Sequence, residues 1–141
     1  MPPFPDPDAP DTFPCTGCGV GYEASGYYYA NGNRQARCRS CQLVNLQAYY
    51  STRVGFEHRM WNNTMKASRE RSALGRASGH TLTFGDIEAM AREQQDRCYL
   101  SGHPMTFAAR SDWQASVERL DNSLDYSREN CRLICLEFNT A

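Results

Sequence analysis

The sequence predicts an α+β fold in three parts: an N-terminal four-cysteine zinc ribbon, a helical connector, and a C-terminal unit of strand, loop, strand and helix. Three observations carry this reading. Two CxxC knuckles, Cys15/Cys18 and Cys38/Cys41, are separated by 19 residues. From Gln42 onward, apolar residues recur at helical intervals. From Ala115 a short alternating run enters a loop rich in Asp, Asn and Ser before apolar residues resume.

Residues 1–14 are rich in Pro and Asp and lack the apolar residues a core needs, so they read as a loose arm. Residues 15–41, "CTGCGVGYEASGYYYANGNRQARCRSC", form the zinc ribbon. Two knuckles can aim four thiolates at one tetrahedral Zn²⁺, and the Gly, Asn and Tyr residues between them suit a hairpin. Four cysteine ligands leave no open position for water, so this zinc is structural. The chain has seven cysteines and no charged-then-apolar leader at its start, which predicts reduced thiols in an intracellular setting. No stretch approaches the ~18 apolar residues of a membrane span, so no membrane partner is expected.

Residues 42–79 form the connector. Leu43, Leu46, Tyr50, Val54, Trp61 and Met65 recur at spacings of three, four and seven, which predicts an amphipathic helix bent near Gly55. The formal net charge of −1 hides a strong asymmetry. Residues 1–33 carry Asp6, Asp8, Asp11 and Glu23 with no Lys or Arg, whereas residues 34–76 carry nine basic residues against Glu57 and Glu70. A charge run is commonly a solvated helix face, yet a local excess of this size also attracts a polyanion.

Residues 80–141 form the C-terminal module. "GHTLTF" reads as a short extended piece, and Thr83 with Asp86 as a helix-start capping pair for a helix near 85–96. "CYLSGHPM" is a turn, because Gly102 and Pro104 interrupt regular structure. Ala115, Val117 and Arg119 share one strand face and Glu118 the other, while Leu133, Ile134, Leu136 and Phe138 resume a helical pattern. A carboxylate and a carboxamide oxygen suit a Mg²⁺-class ion, and an Arg fork suits phosphate; Glu118, Asn139 and Arg119 supply these groups.

At these residues the chain resembles a known family. "VERLDNSLDYSRENCRLICLEFN" is similar to the HNH, or ββα-metal, nuclease motif, and the resemblance covers residues 98–139 well and the zinc-knuckle front more weakly. It implies that Glu118 is the metal carboxylate, Asn130 the loop brace and Asn139 the second metal ligand, holding Mg²⁺ or Mn²⁺. Arg119 then stands where the family's general-base His is usual, and guanidinium does not deprotonate near neutral pH.

Homodimeric HNH restriction enzymes with an acid–Arg pair are similar here: a His precedes Thr-Phe, as His80 does, and a Tyr lies in the Cys turn, which places Tyr99 among the candidate catalytic residues although the family position falls on Leu100. His103 competes with His80 as the base. Many relatives carry a second zinc in this half; here Cys98 and Cys135 persist, but Ser101 and Phe138 take the partner places, so buried packing of Cys98, Cys131 and Cys135 is expected instead. Asp125 replaces the family's Gly before Tyr126, in a turn that tolerates Asp in the left-handed region.

The resemblance implies a DNA endonuclease of restriction or homing type, acting on double-stranded DNA as a homodimer, with Arg53, Arg59, Lys66, Arg69, Arg71 and Arg76 as backbone contacts. The alternative is a non-catalytic, zinc-containing DNA-binding protein that keeps an HNH-like fold.

Overall fold

The computed structural model describes residues 11–76 and 79–139, so the first ten residues of the expected arm, Ala77 and Ser78, and the last two residues lie outside the description. The described chain is mixed α/β, with three two-stranded antiparallel sheets and three α-helices. It divides into two compact units, Met1–Ala48 and Tyr49–Ala141. No helix among the described residues is long and apolar enough to cross a membrane.

The first unit opens with β1 (Thr12–Pro14), paired to β2 (Gly21–Glu23). This corrects the expectation that the arm runs loose to residue 14. Phe13 supplies the reason, since its ring packs edge-on against Tyr27, 6.5 Å between centroids. A 3-10 turn (Ala24–Gly26) leads into the hairpin of β3 (Tyr27–Ala30) and β4 (Asn33–Cys38). Its two-residue turn, Asn31-Gly32, has φ of 51° and 77°, the left-handed pair that matches strand twist in a tight hairpin. Tyr27, Cys15 and Cys38 are the buried centre, and the Tyr27 hydroxyl donates to the Phe13 carbonyl. A core this small needs a staple.

Helix α1 (Arg39–Tyr50) follows directly and buries none of its residues; Leu43 and Leu46 are exposed. The expected single bent helix is therefore two helices. The chain breaks at Ser51–Thr52 and α2 (Arg53–Ala73) begins anew, with Thr52 Oγ1 accepting from Gly55 N at 3.1 Å as an N-cap. The helical spacing of Val54 with Leu46 and Tyr50 was coincidental, and Val54 is exposed. Gly55 lies in the first turn, where any Cβ would collide with the Tyr49 carbonyl. Phe56, Met60, Thr64 and Ser68 form the buried stripe of α2.

In the second unit Thr83 and Asp86 form the expected capping box, with Asp86 N donating to Thr83 Oγ1 at 3.2 Å and Thr83 N to Asp86 Oδ2 at 2.8 Å. Helix α3 (Phe84–Glu93) ends earlier than residue 96, because Gln95 and Asp96 take left-handed φ of 54° and 58°. It buries Ile87, Met90 and Ala91 in the main core with Phe56, Met60, Leu82 and Leu133.

Strand β5 (Ala115–Arg119) pairs with β6 (Cys131–Cys135) from Ala115↔Cys135 to Arg119↔Cys131. Residues 131–135 were expected to run toward a terminal helix; they are a strand, and the helical element is one 3-10 turn, Leu136–Asn139. Cys131, Leu133, Ile134 and Cys135 are all buried. A strand covered on both faces has no polar alternation, so its pattern cannot be told from a helix by period alone.

Candidate metal and phosphodiester sites

Four sulfurs converge in the first unit. Cys15 and Cys18 flank a knuckle after β1, Cys38 ends β4, and Cys41 stands in the first turn of α1. Their Sγ atoms all lie within 4.8 Å of one another. Cys15 Sγ accepts from Gly17 N and Cys38 N at 3.2 Å and from Cys18 N at 3.5 Å. The Cys38 amide is the main reason that the Cys15 thiol is pulled down to about 6, so it is a thiolate near neutral pH. Four soft donors at this separation are positioned to bind a metal such as zinc, with Cys15, Cys18, Cys38 and Cys41 as the ligands.

The β5–β6 hairpin sorts the other candidates by face. Residues paired across the ladder share a face, so Ser116, Glu118, Arg132 and Ile134 stand on one side and Ala115, Val117, Arg119, Cys131, Leu133 and Cys135 on the other. Asn139 reaches the first side: its Nδ2 donates to Ser116 Oγ at 3.0 Å and to Val117 O at 3.3 Å. Among the described residues its Oδ1 accepts nothing, so the amide is anchored by nitrogen and offers its oxygen. Burial pushes the Glu118 carboxyl above its ordinary value, opposed by the Arg119 charge.

Arg119 works on the loop. Its Nη1 donates to Asn122 O at 2.9 Å and Leu124 O at 3.0 Å, while Arg71 Nη2 donates to the same Asn122 carbonyl at 3.3 Å. Asn130 closes the loop from below: its Oδ1 accepts from Asp121 N at 2.9 Å, and Nδ2 donates to Asp121 O at 3.0 Å and Asp125 O at 2.9 Å. Asp125 is not left-handed; its carboxylate accepts from Gly79 N at 2.7 Å and ties the loop to the segment carrying His80.

His80 lies beside Tyr126, ring centroids 5.9 Å apart, and the Arg119 guanidinium carbon is 5.1 Å from the centre of the Tyr126 ring. Thr81 N and Leu82 N both donate to Tyr126 O, at 2.9 and 3.2 Å. Burial lowers the His80 pKa, against an interaction with its own backbone that favours the charged ring.

Tyr126 is therefore the aromatic partner that sequence reasoning missed, although it sits between Asp125 and the Asn130 brace. Tyr99 is elsewhere, on the free edge of β6, where its N donates to Leu133 O at 3.0 Å and its ring lies 5.5 Å from the Arg132 guanidinium carbon. It borders a cleft of about 380 Å³ with Arg97, Arg128 and Arg132. His103 stacks on Trp113 at 3.7 Å, and no contact among the described residues joins either His103 or His80 to Glu118 or Asn139.

Cys98, Cys131 and Cys135 are buried. Burial pushes Cys131 up to about 11, whereas in Cys98 the Ser101 hydroxyl and the Cys135 amide overcome burial and bring the thiol to about 7.

The basic residues of α2 are not equivalent. Arg53 is held in a bidentate pair with Asp96, at 2.7 and 3.0 Å, and also bonds Glu57 at 2.5 Å. Its fork is engaged within the fold, which corrects its expected role on DNA. Lys66 pairs loosely with Glu70 at 3.9 Å, and Arg59 lies over Tyr50. Arg59, Lys66, Arg69 and Arg76 are exposed.

No protein-family model matches the chain, and no curated protein matches it.

Proposed function

We propose that the chain is an HNH-type DNA endonuclease that hydrolyses phosphodiester bonds with one Mg²⁺-class ion. The observation that carries this reading is the anchoring of Asn139 to Ser116, which shares a sheet face with Glu118 and leaves Asn139 Oδ1 without a partner among the described residues. A carboxylate and a neutral carboxamide oxygen are the hard donors such an ion takes, its other positions filled by water and phosphate. Bound there, the ion would polarise the phosphate and stabilise the leaving oxygen.

The chain's own groups take the remaining roles. Arg119 keeps Nε and Nη2 for a phosphate oxygen while Nη1 holds the loop. His80, neutral at physiological pH, accepts the proton of the attacking water, with Tyr126 fixing the edge of its ring. Arg59, Lys66, Arg69 and Arg76 neutralise the DNA backbone, which makes binding strongly salt-dependent. One such site cuts one strand, so a double-strand break is made by a homodimer.

The second reading is a zinc-containing DNA-binding protein without catalysis. It is favoured by Arg119, which stands at the base position and is bonded to loop carbonyls.

Incubation of supercoiled plasmid with the protein in Mg²⁺ or Mn²⁺ separates the readings. Cutting that is abolished in Glu118→Ala and Asn139→Ala supports the nuclease; plasmid left intact with either metal but retarded on a gel supports the binding protein. A monomeric mass by light scattering, with and without DNA, would remove the homodimer.

A further inference from the structure

A cleft of about 380 Å³ opens along the free edge of β6, between the end of α3 and the stretch from Arg128 to Arg132. Its volume lies near the lower end of the range of about 300–1,000 Å³ in which small ligands are held. Three guanidinium groups line it, those of Arg97, Arg128 and Arg132.

Each is fixed to the fold through one terminal nitrogen. Arg97 Nη1 donates to Gly102 O at 3.1 Å, and Arg128 Nη2 bonds the Glu93 carboxylate. Arg132 Nη1 donates to Cys131 O at 2.6 Å and to Arg128 O and Glu129 O at 3.3 Å. Among the described residues, the remaining guanidinium nitrogens of all three make no hydrogen bond. Arg97 and Arg132 thus keep the Nε–Nη2 edge, the fork that meets two oxygens of one oxyanion, and Arg128 keeps Nε and Nη1.

The charge of the cleft does not cancel. Among its lining residues Glu93 is the one carboxylate, set against three guanidinium groups. Cys98 forms part of the wall, and its sulfur receives the Ser101 hydroxyl and the Cys135 amide, which offset thiolate charge there. The last carbonyls of α3 are also taken, with Met90 O, Ala91 O and Arg92 O accepting from the amides of Gln94, Asp96 and Gln95. The negative end of the helix is therefore capped, and the three arginines dominate the local field.

The cleft also has a defined place beside the β5–β6 face. Arg132 is the cross-strand partner of Glu118, so their Cα atoms are about 5 Å apart and both residues rise on one side of the sheet. Tyr99 stands at the rim with its ring against Arg132, an apolar surface next to the charged fork.

Resting on the nuclease reading above, we infer that the cleft of Arg97, Arg128 and Arg132 is a phosphate subsite that holds a DNA backbone phosphate flanking the one to be cut. The forks of Arg97 and Arg132 take its non-bridging oxygens, Arg128 adds a third cation, and the Tyr99 ring packs on the adjoining sugar. Contacts of this kind set the register of the strand over Glu118 and carry no sequence information.

The test uses the full zinc-loaded chain and a random-sequence duplex, with Ca²⁺ replacing Mg²⁺ so that bound DNA stays whole. Kd is measured against salt for the wild type, Arg97→Gln, Arg128→Gln, Glu93→Gln and a control outside the cleft, Arg110→Gln, each checked by its thermal melt. Arg97→Gln and Arg128→Gln are each expected to weaken binding about 10-fold and to lower the salt slope by about 1. Glu93→Gln, which removes the opposing charge, is expected to lower Kd. In a second arm, inorganic phosphate at constant ionic strength is expected to move the NMR signals of the Arg97, Arg128 and Arg132 Nε–H groups. Signals that stay in place with both phosphate and duplex would overturn the site. Signals that move with phosphate, beside cleft variants that bind duplex as Arg110→Gln does, would overturn DNA as the occupant and leave the nuclease reading standing. A wild type that binds no duplex would overturn both.

Discussion

His80 Nε2 lies 2.8 Å from Thr64 Oγ1, and the same hydroxyl donates to Trp61 O at 2.6 Å. A hydroxyl has one proton, and it goes to the carbonyl, so at the His80 contact the ring nitrogen is the donor. The neutral imidazole is therefore the Nε2–H tautomer, and Nδ1 is the atom at which a proton is gained. Helix α2 thus determines, through Thr64, which nitrogen is basic.

That tautomer makes a pH prediction. Burial lowers the His80 pKa from its ordinary 6.5, so the acid limb of the proposed cleavage activity is expected to lie below that value. Thr64→Val removes an acceptor that favours the protonated ring, and should move the limb to still lower pH while reducing the rate. Folding stability follows the same sign: it is complete above 6.5 and declines as the pH falls through the window below. A pH–rate profile and urea melts at pH 5 and pH 8 measure both.

Glu118 is expected to trade stability for chemistry. Its folded pKa is raised by burial, so the carboxylate strains the fold above the ordinary 4.5, and Glu118→Gln should melt higher than wild type at pH 7 without metal. The advantage should shrink on acidification, and Mg²⁺ should raise the melting temperature of wild type only. Equal melting of both proteins in the absence of metal would contradict this account.

Asn130 makes three hydrogen bonds to the loop and is 7 % exposed. Asn130→Ala should cost about 2–4 kcal/mol in denaturant unfolding, since it strands buried backbone groups. Asn130→Asp keeps the acceptor but sets a carboxylate oxygen against the Asp121 and Asp125 carbonyls, so it should cost at least as much at neutral pH.

Removing zinc should unfold the first unit. Among the described residues Tyr27, Cys15 and Cys38 are its buried centre, and a chelator or Cys38→Ser is expected to abolish the dispersed NMR signals of β3 and β4. Metal loss on acidification is expected as protons compete with the ion for the four thiolates.

The Arg53–Asp96 pair is expected to contribute modestly. Both side chains are nearly half exposed, so Asp96→Asn should cost no more than about 1 kcal/mol. Arg53 holds the Asp96 carboxyl below its ordinary 3.8, so this contribution is present above that pH and fades as the pH drops through and below it.

The sulfur cluster was legible in sequence because ligand spacing is a local covalent property, and the capping box because Thr83 and Asp86 are three residues apart. The β5 strand was legible by its alternation. What escaped depended on distant packing. A second strand was expected, but its extent was not: Leu133 and Ile134 read as part of the helix because an apolar run of this length carries no period to distinguish the two. Arg53 read as a free cation because Asp96, its partner, lies 43 residues away. Tyr126 went unassigned because only the fold brings it against His80.

Gly79 sits where the loop bearing Tyr126 meets the extended segment bearing His80, its amide on Asp125 and its carbonyl on the Tyr126 amide. Any Cβ there would collide with the Asp125 carboxylate. Residues 79 and 125 are therefore coupled, since a side chain at 79 displaces the Asp125 carboxylate from the Gly79 amide. In a library that varies residues 79 and 125 together, larger residues at 79 should appear chiefly with a smaller residue at 125.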